Sequence, residues 1–318
     1  MGDRKACVPP MRLVAIVLLS GCVLVVGCAS QGVPEPDTGV AGGRVYCVVQ
    51  EAPGLQQIFS FASHGGDRRF VANGSFPGVS RVSSRVWFIH PTGQLWVMSP
   101  DGSNQRAVST LPGLTLTPAE SPDGTRVAVT YAAPGSTMEV WVMNTDGSEP
   151  RPLTRTTTAA TTRRGGQVTW SVHASWSPDG KKIAYASTQG GSSQVWTIDA
   201  DGAHASQLIA GSGPAYPDSN VPEYSLDGAR IVYWSGFETE YGEVWAMDAD
   251  GTHQRQLTET PDPHNSDNPT WSPDGGSVVF ISNRPGGPRE MNAWVLDLAG
   301  GEPRLLAAGG LYCAWQAP

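Results

Sequence analysis

The segment Trp176-Ser177-Pro178-Asp179-Gly180 says most about the fold of this chain, because the chain repeats it. Variants of it occur at Glu120-Ser121-Pro122-Asp123-Gly124, Tyr224-Ser225-Leu226-Asp227-Gly228 and Trp271-Ser272-Pro273-Asp274-Gly275, with a remnant at Trp315-Gln316-Ala317-Pro318. The Ser positions, with Gln316 standing for Ser in the remnant, are separated by 56, 48, 47 and 44 residues. A period of roughly 40–50 residues is typical of a repeat architecture.

Each copy predicts a tight turn followed by three further strands. In the turn, Ser bonds locally to the backbone, Pro presets φ and Gly supplies the conformation from which the next strand starts. A β-rich run follows, Lys182-Ile183-Ala184-Tyr185 in this copy, and then a strand centred on Trp196. A second turn at Asp201-Gly202 leads to a short last strand. One repeat is therefore four short antiparallel strands, named a, b, c and d from here on.

A four-stranded unit of this kind cannot bury both of its faces alone, whereas radial stacking of several units does so. The sequence thus predicts an all-β fold, a β-propeller of about six four-stranded antiparallel blades. The predicted blades are 44–74, 75–110, 111–155, 156–210, 211–258 and 259–310. The C-terminal strand, 311–318, is expected to supply strand a of the first blade and so close the ring, which removes an open sheet edge. The strand-c tryptophans are expected to pack between blades, at Trp96, Trp141, Trp196, Trp245 and Trp294.

The N-terminus has the pattern of an export signal. Basic residues precede an apolar run from Leu13 to Val26, which is shorter than the ~20 residues of a membrane span. The run ends in Val25-Val26-Gly27-Cys28, which resembles the lipobox of bacterial lipoproteins. We therefore expect a signal peptide over 1–27, lipidation of Cys28, a flexible tether over 28–43 and the propeller over 44–318. Cys22 as the lipidated residue, Met11 as the start and an ordinary signal peptide remain open alternatives.

The charge of the chain excludes some partner classes. The formal net charge is −8, and residues 1–27 contain three basic residues and one acidic residue, so the remainder carries about −10. An acidic surface argues against a nucleic-acid partner. Export to an oxidising compartment would permit a disulfide between Cys47 and Cys313, which fall on neighbouring strands of the closing blade. Two buried free thiols are the alternative.

The turn, the apolar strand after it and the later Val-Trp-x-Met/Ile-Asx-x-Asp-Gly stretch together resemble the WD40-like (PD40) repeat of TolB-type propellers. The resemblance is strong over 111–318 and weaker over 44–110. It implies the propeller fold, whereas propellers of this type serve many functions. Some related propellers are lyases or hydrolases, which keeps an enzymatic function open.

Catalytic motifs are absent from the sequence, which has no Gly-x-Ser-x-Gly, His-Glu-x-x-His, Cys-x-x-Cys or phosphate-binding glycine loop. Polar residues instead cluster before and within the predicted a strands, where each blade enters the central channel. These candidate ligand-binding residues are His173, Asp218, Asn220, Glu223, His264, Asp267 and Asn268. Carboxylate and amide oxygens with His suit a divalent metal or a polar ligand. Alternatively, these side chains cap strands and hold water in the channel.

The b–c loops share one face of a propeller with the d–a connections, and they offer candidate partner-binding residues. Aromatic residues with Arg are frequent anchors of binding surfaces. The candidates are Phe237, Tyr241, Arg284 and Arg289.

The favoured function from the sequence is a non-catalytic, lipid-anchored protein of the bacterial cell envelope, periplasmic or on the outer face, which binds a protein or glycan through this loop face. The alternative is a lyase or hydrolase acting on polysaccharide or peptide with the channel-mouth residues. A third possibility is a structural blade set within a larger complex. The sequence requires no cofactor, although a divalent metal is compatible with it.

Overall fold

The computed structural model describes residues 43–316 except 53, 110, 156–168, 210–217, 237–240, 261–262 and 288–289. The predicted signal peptide, Cys28 and nearly all of the tether lie outside the described residues, as do Phe237 and Arg289. Among the described residues, no helix is long and apolar enough to span a membrane.

The described chain forms six four-stranded antiparallel sheets, which are the blades of a propeller and confirm the predicted fold. Blade 1 consists of β1 (Arg44–Ala52), β2 (Leu55–Ala62), β3 (Arg69–Asn73) and the last strand, β24 (Gly310–Gln316). Blade 2 consists of β4 (Ser75–Val79), β5 (Val86–Ile89), β6 (Leu95–Met98) and β7 (Arg106–Ala107). Blade 3 consists of β8 (Leu114–Glu120), β9 (Arg126–Ala132), β10 (Glu139–Asn144) and β11 (Arg151–Pro152).

The second half of the ring repeats this arrangement. Blade 4 consists of β12 (Ser171–Trp176), β13 (Lys182–Ser187), β14 (Gln194–Asp199) and β15 (Ser206–Gln207). Blade 5 consists of β16 (Asp218–Tyr224), β17 (Arg230–Gly236), β18 (Glu243–Asp248) and β19 (Arg255–Gln256). Blade 6 consists of β20 (Ser266–Trp271), β21 (Ser277–Ser282), β22 (Asn292–Asp297) and β23 (Arg304–Ala308).

The ring closes through blade 1, as the sequence predicted. Strand β24 is the inner strand of this blade and pairs antiparallel with β1. Cys47 and Cys313 are directly opposite each other in this register, and a disulfide joins them across a Cα–Cα distance of 4.2 Å. The bond encloses almost the whole propeller in one covalent loop, with a sequence separation of 266 residues.

The repeated turn is a closed hydrogen-bonded unit. In blade 3, Ser121 Oγ donates to Asp123 Oδ1 at 2.5 Å and accepts from the Arg126 amide at 2.9 Å. The Ser121 bond is the main reason that the pKa of Asp123 falls to about 2. Equivalent Ser–Asp bonds are present in blades 4, 5 and 6. Each turn therefore fixes the start of strand b relative to the end of strand a.

The turns of neighbouring blades also fit against each other through their glycines. A Cβ at Gly180, where φ is +69°, would lie 3.2 Å from the Pro122 ring of the preceding blade. A Cβ at Gly228, with φ +72°, would lie 3.3 Å from Pro178. Glycine thus satisfies both the left-handed backbone and the close approach of the next turn.

The hydrophobic core is divided among the six interfaces between blades. Each interface has its own cluster of buried apolar residues, contributed by the two blades that meet there. The strand-c tryptophans pack against these clusters, as predicted; Trp294 is buried, and Trp96, Trp141, Trp196 and Trp245 are partly buried. Because both faces of every blade are apolar, no blade is expected to fold apart from its neighbours.

The tryptophan of the turn motif forms a second contact between blades. Trp176 Nε1 donates to the carbonyl oxygen of Ala119 in blade 3, and the Arg126 guanidinium lies 4.8 Å above the Trp176 ring. The same arrangement recurs one interface further along, where Arg230 lies 4.6 Å from the Trp271 ring. The aromatic residue before Ser and the Arg that starts strand b are therefore inter-blade partners.

Reduction of the Cys47–Cys313 disulfide is expected to lower the free energy of unfolding by about 3–5 kcal/mol, because the unfolded chain regains the entropy of an open loop. Urea unfolding of the oxidised and dithiothreitol-reduced protein measures this difference, with the Cys47→Ala/Cys313→Ala variant as control. The variant should be insensitive to dithiothreitol. Equal midpoints for oxidised and reduced wild-type protein would contradict the expectation.

Ser121→Ala is expected to destabilise the protein by about 1–3 kcal/mol, because it leaves the Arg126 amide without its acceptor in a partly buried turn. Ser148→Ala is the matched control: Ser148 also bonds to an aspartate, Asp146, but is exposed. A surface substitution of this kind should change stability by less than about 0.5 kcal/mol. The free energies of unfolding are measured by chemical denaturation. Similar losses in the two variants would show that the Ser121 hydrogen bonds stabilise the protein no more than those of the exposed Ser148.

Candidate functional site

The inner strands of the six blades surround a central channel. Five of them, β4, β8, β12, β16 and β20, contain a β-bulge at the same place. At each bulge one residue other than glycine has a positive φ, namely Phe76, Thr117, His173, Val221 and Asn268. Bulges redirect side chains relative to a regular strand. They are the positions from which blades 2 to 6 present side chains to the channel.

The channel widens into a cavity of about 360 Å³ on the loop face, the side of the b–c and d–a connections. Four of the seven predicted ligand-binding residues line this cavity: His173, Asn220, Asp267 and Asn268. They belong to three consecutive blades, 4, 5 and 6, and form what we call the polar arc.

The opposite side of the cavity is mostly apolar, and Gln56 and Ser75 are its polar residues. Blades 1, 2 and 3 contribute Tyr312, Phe76 and Leu116 to it. The rings of Phe76 and Tyr312 meet edge to face, with centroids 5.4 Å apart. We call this side the apolar arc. A cavity with one hydrophobic wall and a few polar groups opposite is the usual form of a small-ligand site.

His173 is the most strongly perturbed residue of the polar arc. Its backbone amide donates to Thr130 Oγ1 at 3.0 Å, which holds the bulge. Burial lowers the pKa of His173 to about 4, so the imidazole is uncharged at neutral pH, and a hydrogen-bonding effect of the Asn220 side chain opposes this shift to a smaller extent. Apart from this mutual contact, His173 Nδ1 and Asn220 Oδ1 are buried without a hydrogen-bond partner within the described structure.

Asp267 supplies the carboxylate of the polar arc. Its Oδ1 accepts from the Asn268 amide at 2.6 Å. Burial raises the pKa of Asp267, and that hydrogen bond opposes the rise. No cationic side chain contributes to this balance among the residues that the structure describes.

Arg81 crosses the other end of the channel, on the face of the a–b turns. This residue occupies the turn position that Pro122 and Pro178 hold in blades 3 and 4. Its guanidinium extends from blade 2 to blade 5, the opposite blade of the ring, and donates from Nη2 to Glu223 Oε1 at 3.1 Å and to the Tyr224 carbonyl oxygen at 2.7 Å. Burial raises the pKa of Glu223, and the Arg81 charge opposes this. A smaller cavity of about 100 Å³ lies at this end, and His173, Val221 and Tyr312 line both cavities.

The structure does not bring the remaining predicted ligand-binding residues to the cavity. Glu223 belongs to the opposite end of the channel, with Arg81. Asp218 Oδ1 accepts from the Ser193 amide of the preceding blade at 2.9 Å, so it fastens blade 5 to blade 4. His264 is half-buried in the connection that leads into blade 6 and does not line the cavity.

Among the predicted partner-binding residues, the structure describes Tyr241 and Arg284. Tyr241 is 50% exposed on the loop face. Arg284 is partly buried: its guanidinium lies 5.2 Å from the Phe280 ring and 5.6 Å from the Trp294 ring, and it donates to Thr260 Oγ1. Arg284 thus supports its loop, whereas Tyr241 is accessible.

Sequence reasoning missed Tyr312, Phe76 and Arg81, three residues that shape the channel. A signal for the bulge was present: proline follows the positive-φ residue at Pro77, Pro118, Pro222 and Pro269. Arg81 could have been noticed as the cation in a turn position that is otherwise apolar. Within the described part of the chain, no group of three or more His, Cys, Asp or Glu side chains is arranged to hold a metal ion.

His173 is expected to make the protein sensitive to mild acid. Its folded pKa of about 4 lies below the ordinary value of 6.5, so protonation favours the unfolded chain. The contribution of His173 to the free energy of unfolding is fully present above pH 6.5 and falls by about 2–3 kcal/mol as the pH decreases toward 4. Measuring the free energy of unfolding between pH 7 and pH 4.5 tests this expectation.

His173→Asn should reduce this pH dependence, since Asn tolerates the left-handed backbone. The matched control is His204→Asn, which replaces an exposed histidine with φ +52°. Equal acid sensitivity in the wild type and both variants would refute the assignment.

The comparisons with known proteins agree on the propeller. A family model described as the TolB beta propeller domain (PD40) matches residues 75–260. The Tol-Pal system protein TolB of Anaeromyxobacter dehalogenans (strain 2CP-1 / ATCC BAA-258) is 31% identical over 119 residues, which are 37% of this chain and 24% of that protein. The match thus spans about a quarter of the length of this curated relative.

Solved structures share the fold at low identity. The crystal structure of TolB from Acinetobacter baumannii aligns with a TM-score of 0.67 at 19% identity, over 86% of this chain and 66% of that one. An oligogalacturonate lyase in complex with manganese aligns with a TM-score of 0.53 at 13% identity, over 80% of this chain and 71% of that one. Because the family model matches more than half of the chain, the protein belongs to the TolB β-propeller (PD40) family.

Proposed function

We propose that this protein is a non-catalytic component of the bacterial cell envelope that binds a protein partner through its loop face. The observation that favours this face is the difference between the two ends of the channel. The Arg81–Glu223 pair crosses the end at the a–b turns, where the cavity is about 100 Å³, whereas the other end has the 360 Å³ cavity and the exposed Tyr241. A surface with a recess and an exposed aromatic side chain suits protein binding.

Family membership supports an envelope location and a protein partner, because the curated relative is named as a protein of the Tol-Pal system. The lipobox-like segment at Cys28 supports a lipid anchor at the N-terminus. Together these features favour a propeller that is tethered to a membrane and presents its loop face to the partner. A glycan in place of the protein remains an outcome of the test below.

An enzymatic function receives less support. The likeness to the manganese-bound lyase, at 13% identity, concerns the fold alone. Hydrolysis of a glycoside ordinarily uses a pair of carboxylates, whereas Asp267 is the one carboxylate among the described residues that line the cavity.

Site-specific photo-crosslinking in the native host tests the proposal. A benzoyl-phenylalanine at position 241 should give a discrete protein adduct, because Tyr241 is exposed on the loop face. The same group at Lys181 is the control, since Lys181 is exposed in an a–b turn on the opposite face. A Cys28→Ala form should lose membrane association, and its adduct yield should fall if the anchor concentrates the protein near its partner.

Adducts of equal yield at positions 241 and 181 would overturn the assignment of the loop face. The absence of any protein adduct at position 241, with retention on isolated cell-wall glycan, would replace the protein partner with a glycan.

A further inference from the structure

We propose that the polar arc of the channel cavity binds an organic cation, either the ammonium of an alkylamine or a guanidinium group. This inference rests on the proposed function, because it identifies the chemistry that the loop face would recognise in its partner. The same chemistry also occurs in free amines, and the experiment below separates the two sources.

The first reason is an excess of hydrogen-bond acceptors in the arc. Apart from their contact with each other, Asn220 Oδ1 and His173 Nδ1 are buried without a hydrogen-bond partner within the described structure. A buried polar atom left unpaired costs free energy, so a ligand that supplies N–H groups is favoured over one that supplies acceptors. His173 is uncharged at neutral pH, and in the tautomer that carries its proton on Nε2 the Nδ1 atom accepts a hydrogen bond from an N–H group.

The second reason is charge. Among the described residues that line the cavity, Asp267 is the one carboxylate and none is Lys or Arg. Asp267 accepts from the Asn268 amide at 2.6 Å, and Arg81, further along the channel, is bound to Glu223 and to the Tyr224 carbonyl. A partly buried carboxylate without a paired charge is unfavourable, and a bound cation would reduce this cost.

The third reason is the apolar arc. Tyr312, Phe76 and Leu116 lie across the cavity from the polar arc. Aromatic rings attract organic cations, and the apolar wall suits the hydrocarbon stem that accompanies an ammonium or guanidinium in lysine and arginine side chains. The cavity volume of about 360 Å³ falls near the lower end of the roughly 300–1,000 Å³ typical of ligand pockets. One side chain or one short diamine is therefore the expected occupant.

Each of the three features favours a different property of the ligand. The unpaired acceptors favour a ligand with N–H groups, and Asp267 favours a positive charge. The apolar arc favours a ligand with a hydrocarbon stem over a fully hydrated ion. A lysine or arginine side chain of a partner protein, or a free diamine, satisfies all three.

Isothermal titration calorimetry of the purified full-length protein tests the inference. The cationic probes are N-acetyl-lysine methylamide, N-acetyl-arginine methylamide and 1,5-diaminopentane, and N-acetyl-norleucine methylamide is the uncharged counterpart of the lysine probe. At least one cation should bind saturably at one site per chain, while the norleucine compound should bind at least tenfold more weakly. Binding of the amino-acid derivatives indicates a side chain of a partner, and binding of the diamine alone indicates a free amine; both outcomes support the shared chemistry.

Two variants locate the site. Asp267→Asn keeps the size of the side chain and an acceptor for the Asn268 amide, and it should weaken cation binding at least tenfold. Glu259→Gln is the matched control, because it removes one negative charge from an exposed position between blades 5 and 6. This control should change the affinity by less than twofold. Thermal melts of both variants check that the propeller is intact.

The inference is overturned if none of the cations binds, or if Asp267→Asn and Glu259→Gln weaken binding equally, which would indicate attraction by the net charge alone. The two proposals can fail separately. A crosslink at position 241 without cation binding would support the partner-binding function and overturn the cation site. Cation binding without a crosslink would support the cation site and overturn partner binding through the loop face.

Discussion

Every blade of this protein depends on its neighbours, because both faces of each four-stranded sheet are apolar and are buried only by the adjacent blades. The six inter-blade clusters are the core, and none lies within a single blade. An open row of blades would leave two apolar faces in water. The pairing of β24 with β1, reinforced by the Cys47–Cys313 bond, removes these two ends.

The same constraint determines how the repeat motif is used. Ser121 and its equivalents hold the turn between strands a and b, while Gly180 and Gly228 lie against the proline of the turn before them. The tryptophan before Ser bonds to the carbonyl of the neighbouring blade. A motif that looks local in the sequence therefore joins one blade to the next, and this explains why its members recur together.

The central channel shows how a repeated scaffold produces a site that is not repeated. The bulge recurs in five inner strands, but the residues on it differ: His173 and Asn268 are polar, whereas Phe76 and Val221 are apolar. The neighbouring residues Asn220 and Asp267 complete the polar arc, while Leu116 and Tyr312 complete the apolar one. Arg81 breaks the symmetry further, because it replaces the turn proline in one blade and reaches the opposite one. The family relationship explains the scaffold, while these differences between the repeats determine which side chains line the channel.

The sequence alone determined the propeller, the number of blades, closure by the last strand and the position of the two cysteines opposite each other. Those features follow from periodic turns and strands, which are encoded locally and repeated often enough to be counted. It also placed His173, Asn220, Asp267 and Asn268 near the channel, since they precede or enter the inner strands.

Only the tertiary structure decided which of these side chains meet. Asp218 and Glu223 occur in the same strand as Asn220, yet Asp218 fastens two blades together and Glu223 pairs with Arg81 at the other end. Tyr312 and Phe76, which complete the cavity, come from opposite ends of the chain. Such contacts depend on the closed ring and on bulges that redirect side chains, and neither the depth of a residue in a channel nor its partner across the channel is encoded in the spacing of a repeat.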